Sequence, residues 1–123
     1  MSHFTRVQTQ LRNIETVKQA LMELGYSVTE GMVRGYRDNE ATADLVVHVS
    51  DNYDIGFRQE ASQIVMVADF WGLKINREDF LKSVTQKYAY ITVMEQAQSQ
   101  GWQAMTEEKQ PDGSIRLVMQ RWS

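Results

Sequence analysis

The sequence predicts an α+β fold, in which a mainly antiparallel sheet of six or seven strands carries two helices on one face. Two segments have apolar residues at helical spacing, each between an asparagine and a glycine. Most of the remaining chain alternates apolar and polar residues and is interrupted by turn signals. The strand-to-strand connections are short enough for hairpins and too short for parallel crossovers.

The first helix is predicted from Ile14 to Leu24, with Asn13 as N-cap and Gly25 as the C-terminal stop. The second is predicted from Arg77 to Gln100, between Asn76 and Gly101. The apolar stripe of the first helix is Ile14, Val17, Leu21 and Leu24, and that of the second is Phe80, Val84, Tyr88, Ile91 and Met94.

Seven strands account for the rest of the pattern. They are predicted at His3–Thr9, Tyr26–Tyr36, Ala43–Val49, Tyr53–Arg58, Ile64–Phe70, Trp102–Glu107 and Ser114–Trp122. In the third strand the spacing predicts that Ala43, Leu45, Val47 and Val49 share a face. Each helix is followed by Gly-aromatic and two strands, which indicates either an old β-α-β-β duplication or ordinary glycine caps before strand formers.

Length and composition limit the function classes. The 123 residues predict one domain spanning 1–123. The absence of cysteine excludes thiol chemistry and cysteine-bound metals. The net charge is −3 and the 13 Lys and Arg are scattered, so nucleic-acid binding is not expected. An apolar run of about 20 residues, which a membrane span would need, is absent, as is an apolar leader at the N-terminus.

Catalytic motifs are absent as well. The sequence has no phosphate-binding loop, no His-Glu-x-x-His and no Gly-x-Ser-x-Gly. Its two histidines stand 45 residues apart, which is not metal-ligand spacing. We therefore expect no metal and no cofactor, and the absence of these motifs favours a non-enzymatic role without excluding a small-ligand enzyme.

Three polar residues are candidates for a small-ligand pocket between the long helix and the sheet: His48, Asp69 and Tyr88. Asp69 follows an apolar strand, so it either pairs with an arginine or carries function. The simpler explanation of His48 is a sheet histidine beside Val46. Asp51 and Asp54 flank a turn, where aspartate is expected to bond the backbone.

Five residues are candidates for binding a protein partner. Arg34, Tyr36 and Arg37 form a patch that could grip a carboxylate or an acidic surface, although an edge strand also carries such charges. On the second helix, Tyr88 and Tyr90 lie about 200° apart, so Tyr90 is expected to reach solvent or a partner. Trp122 near the C-terminus either contacts a partner or folds back onto the sheet.

Six segments taken together resemble a known family. They are Ser2-His3-Phe4, Met32–Tyr36, Ala43–Val46, Tyr53–Phe57, Gln86–Tyr90 and Asp112–Val118 with Arg121-Trp122. Their order and spacing resemble the hypothetical chloroplast reading frame thirty-five family of cyanobacteria and algal plastids, a domain of unknown function. The chain departs from the family pattern near Asp69, where Asp69, Phe70 and Trp71 are contiguous.

The resemblance implies a small soluble protein of the cyanobacterial cytoplasm or plastid stroma, with a small ferredoxin as a protein partner. It implies no activity. The leading hypothesis is a non-enzymatic accessory or assembly protein in a photosynthetic or redox context. The alternatives are a small-ligand enzyme or ligand sensor, and a homo-oligomer that pairs exposed edge strands.

Overall fold

The computed structural model describes residues 4–35, 40–49, 53–70 and 72–121, without the side chains of residues 40 and 103–106. Its strands and helices follow one another along the chain. They are β1 (Thr5–Gln8), α1 (Ile14–Glu23), β2 (Val28–Arg34), β3 (Glu40–His48), β4 (Asp54–Glu60), β5 (Gln63–Ala68), α2 (Arg77–Ser99), β6 (Trp102–Lys109) and β7 (Ile115–Arg121).

The predicted α+β class and the seven strands are confirmed. The strands divide into a five-stranded antiparallel sheet, in the order β1-β5-β4-β3-β2, and a separate two-stranded sheet, β6-β7. The two β-α-β-β segments are therefore placed differently, because β2 and β3 join the large sheet whereas β6 and β7 pair only with each other among the described strands.

Both predicted helices are present with the expected caps. The Asn13 side chain accepts hydrogen bonds from the backbone N–H groups of Glu15 and Thr16, and Asn76 does the same for Asp79. Each helix ends within one residue of its predicted limit. The asparagine and glycine signals therefore located both helices correctly.

One face of the large sheet packs against both helices. Apolar side chains from β3, β4 and β5 meet those of α1 and the first half of α2 in a continuous core, in which the Phe57 and Phe80 rings stack with centroids 6.3 Å apart. The fully or almost fully buried members are Leu11, Val17, Leu21, Leu45, Val47, Ile55, Phe57, Ile64, Met66, Ala68, Phe80 and Val84. This layer confirms that the two helices lie on one face of the sheet.

The opposite face is covered by the bent end of the β2–β3 hairpin. The β2–β3 register shifts between Thr29 and Gly31, which is a β-bulge. Beyond it, β2 approaches β4 and β5, although among the described strands it forms a ladder only with β3. The valines of this second layer are buried to 2% exposure or less: Val33, Val46, Val65 and Val67.

The bulge corrects one expectation about side-chain direction. Leu45, Val47 and Val49 share a face as predicted, and this face packs against the helices, but Ala43 lies against Gly56 together with Val33. One extra residue in β3 reverses the alternation, because strand side chains change face with a period of two. A sequence pattern that is read without the bulge therefore places Ala43 on the wrong side.

The second half of α2 packs against β6. In β7 the side chains alternate between half-buried and exposed, with Ile115, Leu117 and Met119 half-buried. The Pro111-Asp112-Gly113 turn is present, and Gly113 reaches the side chain of Gln86 on α2. Among the described residues, no helix is both long enough and apolar enough to cross a membrane.

Replacing Gly56 by alanine tests the packing of the bent hairpin. An added Cβ would lie 2.5 Å from Cγ2 of Val33 and 2.8 Å from Cβ of Ala43. We expect G56A to lower the free energy of unfolding by about 1–3 kcal/mol in urea titrations, because overpacking forces backbone shifts. The double variant G56A/A43G should lose less than the sum of the two single losses. If the loss of the double variant equalled the sum of the two single losses, residue 43 on β3 and residue 56 on β4 would not crowd each other.

Candidate functional site

A row of polar side chains crosses the end of the large sheet on the face away from the helices. His48 lies opposite Asp54 in the β3–β4 register. The β4–β5 register, continued by one position beyond Ile55 and Ala68, places Asp54 opposite Asp69. Both carboxylates are buried, with exposures of 0% and 1%. Buried carboxylates need compensating partners, so this row is the principal polar cluster of the second layer.

Asp54 is held by Arg34 and His48. Arg34 donates from its backbone N–H and from Nε to Oδ2, at 2.8 and 2.9 Å, and from Nη2 to Oδ1 at 2.9 Å. His48 Nδ1 lies 2.8 Å from Oδ1. The carboxylate of β4 therefore fastens the last residue of β2 across the intervening β3.

These hydrogen bonds decide the charge of Asp54. Burial raises its pKa, but the hydrogen bonds from the side chain and backbone of Arg34, and that from His48, outweigh burial and bring the pKa below its ordinary 3.8. Asp54 is therefore ionised near neutral pH. The sequence pattern, which treated it as a turn residue, did not predict this role.

His48 links Asp54 to Thr29. A carboxylate can only accept, so Nδ1 carries the proton, and Nε2 lies 2.9 Å from Oγ1 of Thr29. A hydroxyl, an imidazole and a carboxylate in this order resemble a nucleophilic triad. Here, however, Arg34 engages both carboxylate oxygens, which weakens the support that Asp54 gives to the imidazole as a base. The arrangement is better suited to fixing β2, β3 and β4 together.

Asp69 lies beside the end of the bent hairpin. A Cβ built on Gly35 would be 3.0 Å from Cβ of Asp69 and 2.9 Å from Cζ of Phe4, so backbone and side chains meet closely there. Asp69 is almost fully buried, as expected for a residue that directly follows an apolar strand. It shares the outer face of the sheet with His48, although Asp54 separates the two.

Tyr88 lies on the other side of the sheet, where the helices pack. Its hydroxyl accepts hydrogen bonds from the backbone N–H groups of Arg12 and Asn13, at 3.2 and 3.0 Å. The residue thereby joins α2 to the start of α1. The structure does not bring Tyr88 together with His48 and Asp69, so these three candidates do not share one pocket.

Tyr90 faces the β6–β7 hairpin. Its hydroxyl donates to the carboxylate of Glu107, and the Lys87 ammonium lies 5.3 Å from the centroid of its ring. This hydrogen bond, together with burial and the charges of Glu107 and Glu23, raises the pKa of Tyr90 to about 12. The β6–β7 hairpin is what lets Tyr88 and Tyr90 both be half-buried on different sides of α2. Whether Tyr90 also contacts a partner stays a prediction.

An open apolar groove separates α2 from β7, with a volume of about 250 Å³. We call it the α2–β7 groove. Val93 lies on its helical wall with 46% of its surface exposed. The lining residues are Gln86, Ala89, Tyr90, Val93, Ser114, Ile115 and Leu117. The four helical ones follow i, i+3, i+4, i+7 spacing, a second stripe about 150° from the stripe that faces the core.

Sequence reasoning missed two features for which a signal existed. Asp54 and Asp69 are equally distant from the turn at Ala61-Ser62, and a hairpin places such residues opposite each other. The second stripe of α2 was visible as Ala89 and Val93 beside Tyr90.

Of the five candidate partner-binding residues, Tyr36, Arg37 and Trp122 lie outside the described residues. Arg34 and Tyr90 lie at separate places, one on β2 and the other in the groove.

These features define a class before they define a family. The chain is an α+β protein with a five-stranded antiparallel sheet, a second layer fastened by a buried aspartate, and an added hairpin. Among the described residues, no group of three His, Cys, Asp or Glu side chains could hold a metal ion.

The family follows from comparison with known sequences. Residues 20–118 match the family model described as "Protein of unknown function (DUF1257)", and the chain belongs to this family. It is similar to the "Uncharacterized protein ycf35" of Guillardia theta and to that of Cyanophora paradoxa, each 36% identical over 99% of this chain and 98% of the relative. The protein of the same description from Pyropia yezoensis is 33% identical over 100% of this chain and 99% of its own length. No solved structure matches.

Replacing Asp54 by asparagine should strongly destabilise the fold. A hydrogen bond to a charged group is worth about 1.5–3 kcal/mol, and asparagine removes the charge that Arg34 binds. Because the Arg34 side chain is 44% exposed, water takes over part of the lost interaction, and we expect a loss of about 2–3 kcal/mol. The pKa of Asp54 is lowered in the folded state, so its contribution is present above about pH 4 and is lost as the pH falls through the folded value. Urea titrations should therefore show a large difference between wild type and D54N at pH 7 that narrows at acid pH.

The control for D54N is Asp44→Asn, because Asp44 is exposed and accepts from the backbone N–H of Gln59. It should cost about 1 kcal/mol. Equal losses for D54N and D44N would contradict the central role of Asp54.

Replacing Tyr90 by phenylalanine should remove its hydrogen bond to Glu107. We expect a loss of about 1 kcal/mol in the free energy of unfolding at pH 7. The raised pKa means that protonated Tyr90 contributes below pH 10, and that this contribution is lost as the pH rises toward 12. A double-mutant cycle with Glu107→Gln measures the coupling. No coupling would mean that Tyr90 and Glu107 act independently.

Proposed function

We propose that this chain is a non-enzymatic accessory or assembly protein that binds a protein partner through the α2–β7 groove. The observation that carries the proposal is the second apolar stripe of α2, which lines an open groove instead of a closed core. Contiguous apolar surface that stays exposed on a folded protein is typical of an interaction site.

The groove has features that suit protein recognition. Tyr90 projects into it with its hydroxyl bound to Glu107 and its ring beside Lys87, so its side chain is already ordered before a partner arrives. An ordered aromatic residue loses little conformational entropy on binding, which is why tyrosine is frequent at interface hot spots. Val93 and Leu117 supply apolar surface on either side.

The proposed setting is photosynthetic or redox metabolism in a cyanobacterial cytoplasm or plastid stroma, with a small ferredoxin as the partner. Support comes from relatives that bear the name ycf35 and from the basic side chains of α2 near the groove. Lys82 lies close enough to Asp112 to affect its pKa, and Lys87 adjoins Tyr90. An acidic partner would complement these two lysines.

A second contact is proposed at the end of β2. Arg34 keeps 44% of its side chain exposed while it binds Asp54. Tyr36 and Arg37 follow directly in the sequence. The alternative function, a small-ligand enzyme or sensor, relied on His48, Asp69 and Tyr88, and gains no support from their positions on two sides of the sheet.

Replacing Val93 by aspartate tests the groove. Tagged wild type, V93D and the control M32D would be used to capture partners from a cyanobacterial lysate, with quantification by mass spectrometry. Met32 on β2 is 47% exposed, against 46% for Val93, so the two substitutions change similar exposed surface in different places. A buried charge facing apolar groups should reduce recovery of a stoichiometric partner by about tenfold or more in V93D.

M32D should capture the partner as wild type does, and both variants should keep the wild-type unfolding midpoint. A partner that V93D retains, or that both variants lose equally, would refute binding at the groove. The same spectra identify the partner and so test the ferredoxin assignment separately.

A further inference from the structure

The described strands leave four sheet edges, and three of them carry features that hinder pairing with another strand. β1 has only four residues, the pairing of β2 with β3 is interrupted by the bulge beside Thr29 and Gly31, and β6 has a bulge between Ala104 and Thr106. Short strands and bulges are how proteins protect sheet edges. β7 has seven regular residues with no glycine, proline or lysine, so it is the unprotected edge.

The hydrogen-bond pattern shows which residues of β7 direct their backbone N–H and C=O groups away from β6. Gln110 donates its backbone N–H to the carbonyl of Ser114, so Ser114 is directed toward β6. Because bonded and non-bonded positions alternate in an antiparallel pair, Arg116 and Val118 are also directed toward β6. The backbone groups of Ile115, Leu117, Met119 and Arg121 therefore point to the free edge.

This outward set suits antiparallel pairing with an identical strand. A twofold axis at Val118 places Leu117 opposite Met119 and Ile115 opposite Arg121, all with outward backbone groups. On the other face it places Arg116 opposite Gln120 and Val118 opposite Val118 of the second copy. No like charges meet. On the groove side, the twofold axis produces two equivalent apolar contacts, each between Leu117 of one copy and Met119 of the other. The 46% exposure of Val118 has an explanation in this register, because its twin would cover it.

We propose that two copies of this chain pair through β7 in this register and form a four-stranded β6-β7-β7-β6 sheet. The second copy is the occupant that the edge fits, because the register pairs Leu117 with Met119 and Val118 with its twin at the centre and keeps the arginines apart. The paired sheet adds Leu117 and Met119 of the second copy to the apolar surface beside the α2–β7 groove. The two grooves then adjoin on one face. The pairing depends on the β7 edge alone, so it holds whether or not the groove binds another protein.

Cysteine at position 118 tests the register directly, because the natural chain has no cysteine. Val118 and its twin form a non-hydrogen-bonded pair, with Cα atoms about 4.5 Å apart, which is within disulfide range. Under mild oxidation at ~50 µM, V118C should form covalent dimers at least about tenfold faster than the control M32C, since proximity replaces random encounter. Met32 is matched in exposure and lies on β2.

Sedimentation equilibrium of the full chain without cysteine supplies the second measurement. Wild type and M32R should show a concentration-dependent dimer, whereas V118R should be monomeric, because two arginines would meet at the twofold axis. Equal oxidation of V118C and M32C, a monomeric wild type at ~200 µM, or a V118R dimer as stable as wild type would each overturn the proposal. V93D separates this proposal from binding at the α2–β7 groove. It should lose partner capture, which depends on the groove, and should still dimerise as wild type does, because dimerisation depends on the β7 edge.

Discussion

The buried carboxylate of Asp54 is the constraint on which the second layer of this protein, formed by the bent β2–β3 hairpin, depends. It lies on β4, yet most of its hydrogen bonds come from Arg34 at the end of β2, and its last one comes from His48 on β3. A bulge lets the β2–β3 hairpin bend, and Gly56 gives it room to lie against the sheet. The ion pair fixes the bent position, because an ionised carboxylate in this layer needs these donors.

The second organising feature is that α2 packs both against the main core and against the β6–β7 hairpin. Its first stripe completes the core with α1 and the sheet, and Tyr88 bonds the start of α1. Its second stripe faces the β6–β7 hairpin, which covers Tyr90 and leaves Val93 partly open. A long helix that supports a small added sheet presents both an apolar groove and a free strand edge at one place. Both lie away from the well-packed core.

The polar cluster and the groove have different chemical characters. Around Asp54, a histidine and a hydroxyl are arranged in a chain, but the guanidinium of Arg34 neutralises the carboxylate that would activate them. The cluster is thus explained by folding requirements. The groove has few such internal partners, and it holds an ordered tyrosine among exposed apolar groups. The contrast explains why the functional proposals rest on the groove and the β7 edge.

The sequence by itself determined the two helices, their asparagine caps, the seven strands and the terminal hairpin, because these depend on local spacing and turn chemistry. Only the tertiary structure decided that Asp54 is the charged centre, that Ala43 faces the outer layer, and that Tyr90 meets Glu107. Each of these depends on a bulge, a cross-strand register or a helix–hairpin contact. Such features bring together residues distant in the chain, and no local pattern specifies them.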